Sequence, residues 1–233
     1  GVLKRIERGM MRREVKEREL RERLAAHKAW LDNLEDEDDK RLNLSGEVIE
    51  GLDLNDVCLN RAIFMETTFV RCAFLNTSFE EADMTACLLS DCYVRNGSFV
   101  YADMFMAEIR SSSLIGSNFH GALMRKAMVA DTNIASTSWH DTNIQEITLP
   151  DSRGCVAIMP RGSQGDILLA VIHPDGWRVK TGCFWGTLDE FEAQVERQYD
   201  PSDKHGVRYR ADIAMLRATE QSFQDELGVG WWD

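Results

Sequence analysis

One period dominates the middle of the chain, and that period is five residues. From Leu44 to Leu149 every fifth residue is apolar, over 22 consecutive positions without a slip in register. An α-helix repeats every 3.6 residues and a flat strand every two, so neither produces this pattern. The positions are Leu44, Ile49, Leu54, Leu59, Phe64, Phe69, Phe74, Phe79, Met84, Leu89, Val94, Phe99, Met104, Ile109, Leu114, Phe119, Met124, Val129, Ile134, Trp139, Ile144 and Leu149.

A second column lies two residues before each of these positions, and it holds small residues. From Ala62 to Thr142 all 17 members are Ala, Ser, Thr, Cys or Gly. The pattern predicts a coil of square cross-section in which each five-residue segment forms one side. The large residue points to the axis and the small one lies near a corner, while successive turns stack at roughly 4.8 Å. The exceptions are at the two ends of the array: Leu42, Glu47, Leu52, Val57 and Ile147.

The segments resemble those of the pentapeptide-repeat family, in which a small residue is followed by Asp or Asn and then by a large apolar residue. The resemblance implies a right-handed quadrilateral β-helix, an all-β solenoid. It implies no single function, because one fold serves many functions. The matching segments are Ala82-Asp83-Met84, Ala102-Asp103-Met104, Ser117-Asn118-Phe119, Thr132-Asn133-Ile134 and Thr142-Asn143-Ile144.

A square coil places residues twenty apart on top of one another. One such interior column is predicted to be a ladder of stacked side chains: Leu59, Phe79, Phe99, Phe119 and Trp139.

The cysteines do not indicate a metal or redox site. Cys72 and Cys92 share an inward column, and we expect two thiols there rather than a disulfide. None of the six cysteines forms a CxxC pair, so a zinc or redox motif is not indicated. The sequence predicts no cofactor, no metal ligand and no catalytic residue.

Three regions are predicted. Residues 1–41 hold a capping helix over 3–34 and an acidic linker over 35–39. Trp30 and Leu31 are expected to cover the first turn of the coil, and a dimer through this helix is an open alternative. Residues 42–150 form the β-helix. Residues 151–233 form a small α+β unit docked on its far end.

Secondary structure in the last region is predicted from its pattern. Strands are expected over 155–159, 167–173 and 177–184, with a capping box at Thr187 opening a helix that runs to about Tyr199. A loop over 200–206 then precedes a helix from about Val207 to Leu227. The segment Gly182 to Gly186 with its capped helix resembles a C-terminal extension of phage and prophage pentapeptide-repeat proteins.

Acidic residues outnumber basic ones 39 to 27, which gives a net charge of −12. Direct binding to nucleic acid or to an anionic membrane is therefore disfavoured. No apolar run is long enough to span a bilayer, and the charged N-terminus is unlike a secretory signal. A cytoplasmic protein is expected.

The charge is concentrated on the coil. Residues 42–149 include 14 acidic and six basic residues, a net charge of −8. The resemblance implies one use for an acidic rod, because some relatives mimic DNA and occupy the DNA-binding saddle of gyrase. A surface that only keeps the protein soluble is the alternative. The acidic set proposed for partner binding is Glu66, Glu80, Glu81, Asp83, Asp91, Asp103 and Glu108.

Several outward positions are apolar, and they fall on two adjacent sides of the coil and their shared corner. A monomer rarely leaves such a stripe bare. A flanking segment of this chain is the favoured cover, and a partner is the other. The apolar stripe is Ile63, Met65, Val70, Leu88, Phe105, Met106, Leu123 and Met128.

The leading functional hypothesis is a non-enzymatic interaction module that binds a protein through a rod face or the C-terminal unit. One alternative is a DNA mimic that inhibits a topoisomerase or a nucleic-acid-binding defence protein. Another is a small enzyme built on Cys183 with His173 or His205. A cysteine in a strand beside aromatic residues is more typical of a core.

Overall fold

The structure is a computed structural model, and it describes residues 15–34, 40–158 and 167–227. Residues 40–154 form a β-solenoid. One side carries a five-stranded parallel sheet of β1 (Val48–Glu50), β2 (Thr68–Val70), β4 (Leu88–Ser90), β6 (Glu108–Arg110) and β7 (Met128–Ala130). On the next side β3 (Ala73–Leu75) pairs with β5 (Tyr93–Arg95). Each strand pairs with the residues twenty positions later, so the predicted stacking is confirmed.

The two periodic columns fill the interior. All 22 large residues are buried except Leu149, which is half-buried, and all 17 small residues from Ala62 to Thr142 are buried. The aromatic ladder is confirmed as well. Ring centroids are 4.9 Å apart between Phe79 and Phe99, 4.9 Å between Phe99 and Phe119, and 4.7 Å between Phe119 and Trp139.

The corners explain why the period is five. Residues two positions after most large residues have a positive φ, as at Ala86 (φ 53) and Tyr101 (φ 56). The Asp or Asn of the repeat supports the turn, because its side chain accepts a hydrogen bond from the N–H two residues later. Asp83 accepts from Thr85 at 3.0 Å in this way. Each side therefore ends in a left-handed residue that redirects the chain.

Glycine at one of these corners should stabilise the protein. Replacing Ala86 by Gly removes a left-handed alanine, which relieves about 1 kcal/mol of strain, although it also loosens the unfolded chain. We expect the free energy of unfolding in urea to rise by up to about 1 kcal/mol. The matched variant Ala102→Gly, at a buried interior position, should lower it by about 1 kcal/mol. A comparable loss in both variants would contradict this description of the corners.

The N-terminal helix α1 (Glu17–Leu31) covers the first turn. The prediction of a helix over 3–34 is therefore wrong at both ends within the described residues: Val15 and Lys16 precede the helix, and residues 32–34 follow it. Lys16 is extended, and the Val15 N–H donates to the Val48 carbonyl at 3.1 Å. Residues 1–14 and the predicted linker 35–39 lie outside the described residues.

The buried face of α1 centres on Leu20 and His27, whereas Trp30 and Leu31 are half-buried. The Leu42 N–H donates to His27 Nδ1 at 3.0 Å, and burial lowers the pKa of His27. Arg23 pairs with Glu47 at 2.9 Å. Glu47 breaks the small-residue rule because it meets this helix.

A four-stranded antiparallel sheet closes the other end, in the order β11 (Phe184–Thr187), β10 (Gly176–Thr181), β9 (Leu168–His173), β8 (Cys155–Ile158). Alternate residues of β9 face two cores. Leu169 and Val171 join the solenoid core, while Leu168 and Ile172 join the core of α2 (Leu188–Gln198) and α3 (Lys204–Leu227). The predicted docking of an α+β unit on the far end is confirmed.

The C-terminal unit also corrects two predictions. The third predicted strand, 177–184, is a hairpin: the chain turns at Gly182 (φ 50), and Phe184 pairs back with Thr181. The last helix begins at Lys204, three residues before the predicted Val207, because Asp203 Oδ1 accepts from two N–H groups of its first turn. The capping box at Thr187 is confirmed. Met159 and residues 228–233 lie outside the described residues.

All six cysteines lie in the described residues and are free thiols, as expected for Cys72 and Cys92. A hydrogen bond with the Cys72 thiol and burial raise the pKa of Cys92, and burial raises the pKa of Cys87 to about 12. Cys87 and Cys92 therefore stay protonated, and together with Cys72 they serve as small buried core residues.

Candidate interaction surfaces

The acidic set does not form one face. Asp83 and Asp103 lie in one bridged column, together with Ile63 and Leu123 of the apolar stripe. Glu108 is on β6, on the next side of the solenoid. Glu80 and Glu81 follow Phe79 and therefore lie on a third side. Glu66, Glu81 and Asp91 are exposed, and the other four members of the set are half-buried.

Most carboxylates of the set already have partners within the coil. Glu81 accepts from Arg61 Nε at 2.9 Å, and Glu108 accepts from Arg110 Nε at 3.2 Å. Asp103 accepts from the Phe105 N–H at 3.0 Å, as Asp83 does from Thr85. The Ser98 hydroxyl donates to Glu80 at 2.9 Å, and the Ser90 hydroxyl donates to Asp91 at 2.7 Å. The acidic set therefore does not resemble the two rows of solvent-exposed phosphates on duplex DNA.

Three members of the apolar stripe are exposed to solvent. Met65 is 43% exposed, Met106 50% and Leu123 48%. Ile63, Val70, Phe105 and Met128 are half-buried.

Leu88 differs from the other members of the stripe. It is only 4% exposed, on the central strand β4 between Thr68 and Glu108 of the neighbouring strands. A partner could reach the other seven side chains but not Leu88.

The described parts of the flanking segments pack at the ends of the solenoid. The α1 helix is fixed at Leu42 through His27, and Val15, just before the helix, is fixed at Val48. The C-terminal sheet is fixed by hydrogen bonds from Ser136 to Ile172 and from Ile172 to Gly154. Met65, Met106 and Leu123 remain exposed. Within residues 15–34, 40–158 and 167–227, no flanking segment buries these three side chains.

The suggested catalytic cysteine is placed differently from the prediction. Cys183 lies in the exposed turn between β10 and β11, not inside a strand. His173 is half-buried at the junction with the solenoid, where its Nε2–H donates to the Thr137 carbonyl at 2.9 Å. Burial lowers the pKa of His173. A structural role at the junction accounts for this histidine.

One cluster of potential metal ligands was missed in the sequence. His120 and His140 stack with ring centroids 4.9 Å apart, and their Nδ1 atoms are 2.9 Å apart. Asp141 Oδ2 lies 3.4 Å from His140 Nδ1, and the Tyr101 hydroxyl lies 3.1 Å from His120 Nε2. The available signal was the spacing of twenty between the two histidines, which the coil converts into contact.

No protein-family model matches this sequence, and a search of curated proteins finds no match. Among the described residues, no helix combines the length and the apolar character that crossing a membrane requires.

The similar solved structures are pentapeptide-repeat proteins. Two trypsin-treated forms of QnrB1, a plasmid-mediated fluoroquinolone resistance protein, match with 16% and 17% identity and TM-scores of 0.44 and 0.46. Both matches cover 47% of this chain and 56% of the QnrB1 chain, so the chain spans little more than half of QnrB1. Rfr23, a pentapeptide repeat protein from the cyanobacterium Cyanothece 51142, matches with 16% identity over 55% of this chain and 97% of its own, with a TM-score of 0.33. With scores this low, the fold rests on the hydrogen bonds and the core described above.

Proposed function

We propose that this protein is a non-enzymatic, pentapeptide-repeat interaction module that binds a protein partner through the apolar stripe. The exposure of Met65, Met106 and Leu123 on one side of the solenoid and at the corner that ends it is the observation that carries the proposal. Exposed apolar residues gathered in one area are typical of interaction sites, whereas scattered ones are not. Methionine suits such a site because its flexible thioether adapts to the partner's shape.

The scaffold supports this role because the side chains project from a rigid backbone. Met106 is a corner residue and Met65 precedes one. Hydrogen bonds between turns hold these corners, such as the one from the Met106 N–H to the Arg125 carbonyl at 3.1 Å. A preorganised surface loses little conformational entropy on binding, so more of the contact energy becomes affinity. The proposed partner therefore presents a largely apolar surface.

DNA mimicry of a topoisomerase, a gyrase or a nucleic-acid-binding defence protein is the second candidate. The net charge of −8 on residues 42–149 favours it. Against it, Glu81 and Glu108 pair with arginines of the same coil, and the acidic set is spread over three sides. The predicted phage or prophage origin, the cytoplasmic location, the homodimer and the interaction role of the C-terminal unit stay predictions.

A pair of matched triple variants tests the proposal. Met65→Ser, Met106→Ser and Leu123→Ser together remove the exposed part of the stripe. Glu80→Gln, Glu81→Gln and Asp91→Asn together remove charge without breaking a backbone turn. The purified proteins are immobilised and exposed to a lysate of the cells that produce the protein, and the captured partner's dissociation constant is then measured.

We expect the serine variant to weaken binding about 100-fold, because each lost apolar contact contributes about 1 kcal/mol. The neutralised acidic variant should bind within about threefold of the unmodified protein. The reverse ranking would favour DNA mimicry instead. Equal binding by all three proteins would show that the sides of the coil are not the contact surface, and the proposal would be wrong.

A further inference from the structure

We propose that His120, His140 and Asp141 form a binding site for one divalent transition-metal ion of the zinc class. The ligand atoms would be Nδ1 of each histidine and a carboxylate oxygen of Asp141. These atoms lie within 4.8 Å of one another. Imidazole and carboxylate groups are a donor set that Zn²⁺ uses in proteins.

The fold itself creates this juxtaposition. Residues 100, 120 and 140 occupy equivalent positions in three successive turns, as do Tyr101, Gly121 and Asp141. The backbone ties these turns together, with the Tyr101 N–H donating to the His120 carbonyl at 2.9 Å and the Gly121 N–H donating to the His140 carbonyl at 3.0 Å. The two histidines are therefore held over each other by a rigid ladder of hydrogen bonds rather than by chance contact between mobile loops.

Gly121 makes room for the site. A Cβ atom on Gly121 would lie only 2.3 Å from atoms of the Tyr101 ring, so the tyrosine occupies the space that any other residue at this corner would fill. The ring leans over the glycine and brings its hydroxyl to His120 Nε2. Tyr101 has a left-handed backbone conformation (φ 56). Gly121, at the equivalent corner one turn later, also has a positive φ (66).

Tyr101 also suits the tautomer that metal binding needs. A histidine that binds metal through Nδ1 carries its proton on Nε2, and proteins commonly place an acceptor at that second nitrogen. The Tyr101 oxygen is at the right distance to accept the Nε2–H of His120. Tyr101 would thus be a positioning residue, because it orients His120 without touching the ion.

Metal binding needs a change in ring orientation as well as in distance. The two rings are parallel within 9°, so they must turn for both Nδ1 lone pairs to converge on one ion. In a tetrahedral zinc site with bonds of about 2.05 Å, neighbouring ligand atoms lie about 3.3 Å apart. His140 Nδ1 and Asp141 Oδ2 are already 3.4 Å apart. The two Nδ1 atoms, 2.9 Å apart, need to separate by about 0.4 Å, which exposed side chains such as His140 can accommodate. Water would complete the coordination.

Zinc titration monitored by calorimetry tests the site. All proteins carry Cys58→Ser and Cys183→Ser, since both thiols are exposed and a free thiolate is itself a zinc ligand. We expect one Zn²⁺ per chain, with affinity reduced at least tenfold in Asp141→Asn and further in His140→Gln. His205→Gln, far along the chain on α3, is the matched control and should bind like the parent protein. Circular dichroism confirms that each variant is folded.

A second readout separates positioning from coordination. Tyr101→Phe should weaken binding about tenfold while the visible spectrum of the Co²⁺-substituted protein keeps the same band shape. A parent protein that binds no Zn²⁺ would overturn the proposal. Equal affinity in the parent and in His140→Gln would overturn it too, because the metal would then be held elsewhere.

Discussion

Replacing Phe99 by Asp is expected to abolish soluble expression. Phe99 is fully buried between Phe79 and Phe119, at 4.9 Å from each ring. A carboxylate at this position would lose the stacking and would leave an unpaired charge on the axis of the coil. Burying such a group costs several kcal/mol or more, on the scale of the whole stability of a typical domain, about 5–15 kcal/mol. The measurement is the fraction of protein in the soluble lysate.

The matched control is the next residue along the chain. Val100 lies at an outward position and is half-buried. Val100→Asp should therefore give soluble protein that melts cooperatively within a few degrees of the parent. A soluble, folded Phe99→Asp protein would contradict the inward ladder, and so would equal insolubility of both variants.

Replacing Leu20 by Asp is expected to release α1 from the first turn. Leu20 is buried in the solenoid core, where it joins Leu42 and Leu44. Loss of this contact should cost about 3 kcal/mol or more and should expose the apolar end of the coil. Uncovered strand edges pair with other chains, so the protein should form larger species as its concentration rises. Sedimentation velocity at several concentrations measures this.

An exposed position on the same helix provides the comparison. Ala26 faces solvent, so Ala26→Asp should leave the sedimentation coefficient independent of concentration. If Leu20→Asp stays at the size of the parent protein and loses no stability, α1 is not a cap that the solenoid needs.

Most of the solenoid could be predicted because its physics is local and repeated. In every segment a large residue such as Phe79 fills the axis of the coil. A small residue such as Ala82, two positions before the next large one, fits near the corner. The twenty-residue ladder follows from four sides per turn. The ends of the array could be predicted too, because Glu47 interrupts the column of small residues at the position where α1 packs.

The remaining features depend on single residues or on neighbours in space. The hairpin within 177–184 depends on the positive φ of Gly182, and the early start of α3 depends on one cap, Asp203. Leu88 occupies an outward position, yet its neighbours in the sheet bury it. The contact between His120 and His140 needed the spacing of twenty to be applied to polar residues as well as to the core. Apart from the histidine contact, each of these features depends on a local residue or a spatial neighbour that no periodic pattern encodes.

The salt dependence of partner binding tests the proposed function most directly. Contacts through the apolar stripe are weakly screened, whereas a DNA mimic relies on charge pairs that salt weakens. We predict that the dissociation constant of the captured complex changes less than about threefold between 50 and 300 mM NaCl. A rise of about 100-fold or more over that range would contradict the account and would assign the contact to the acidic surface.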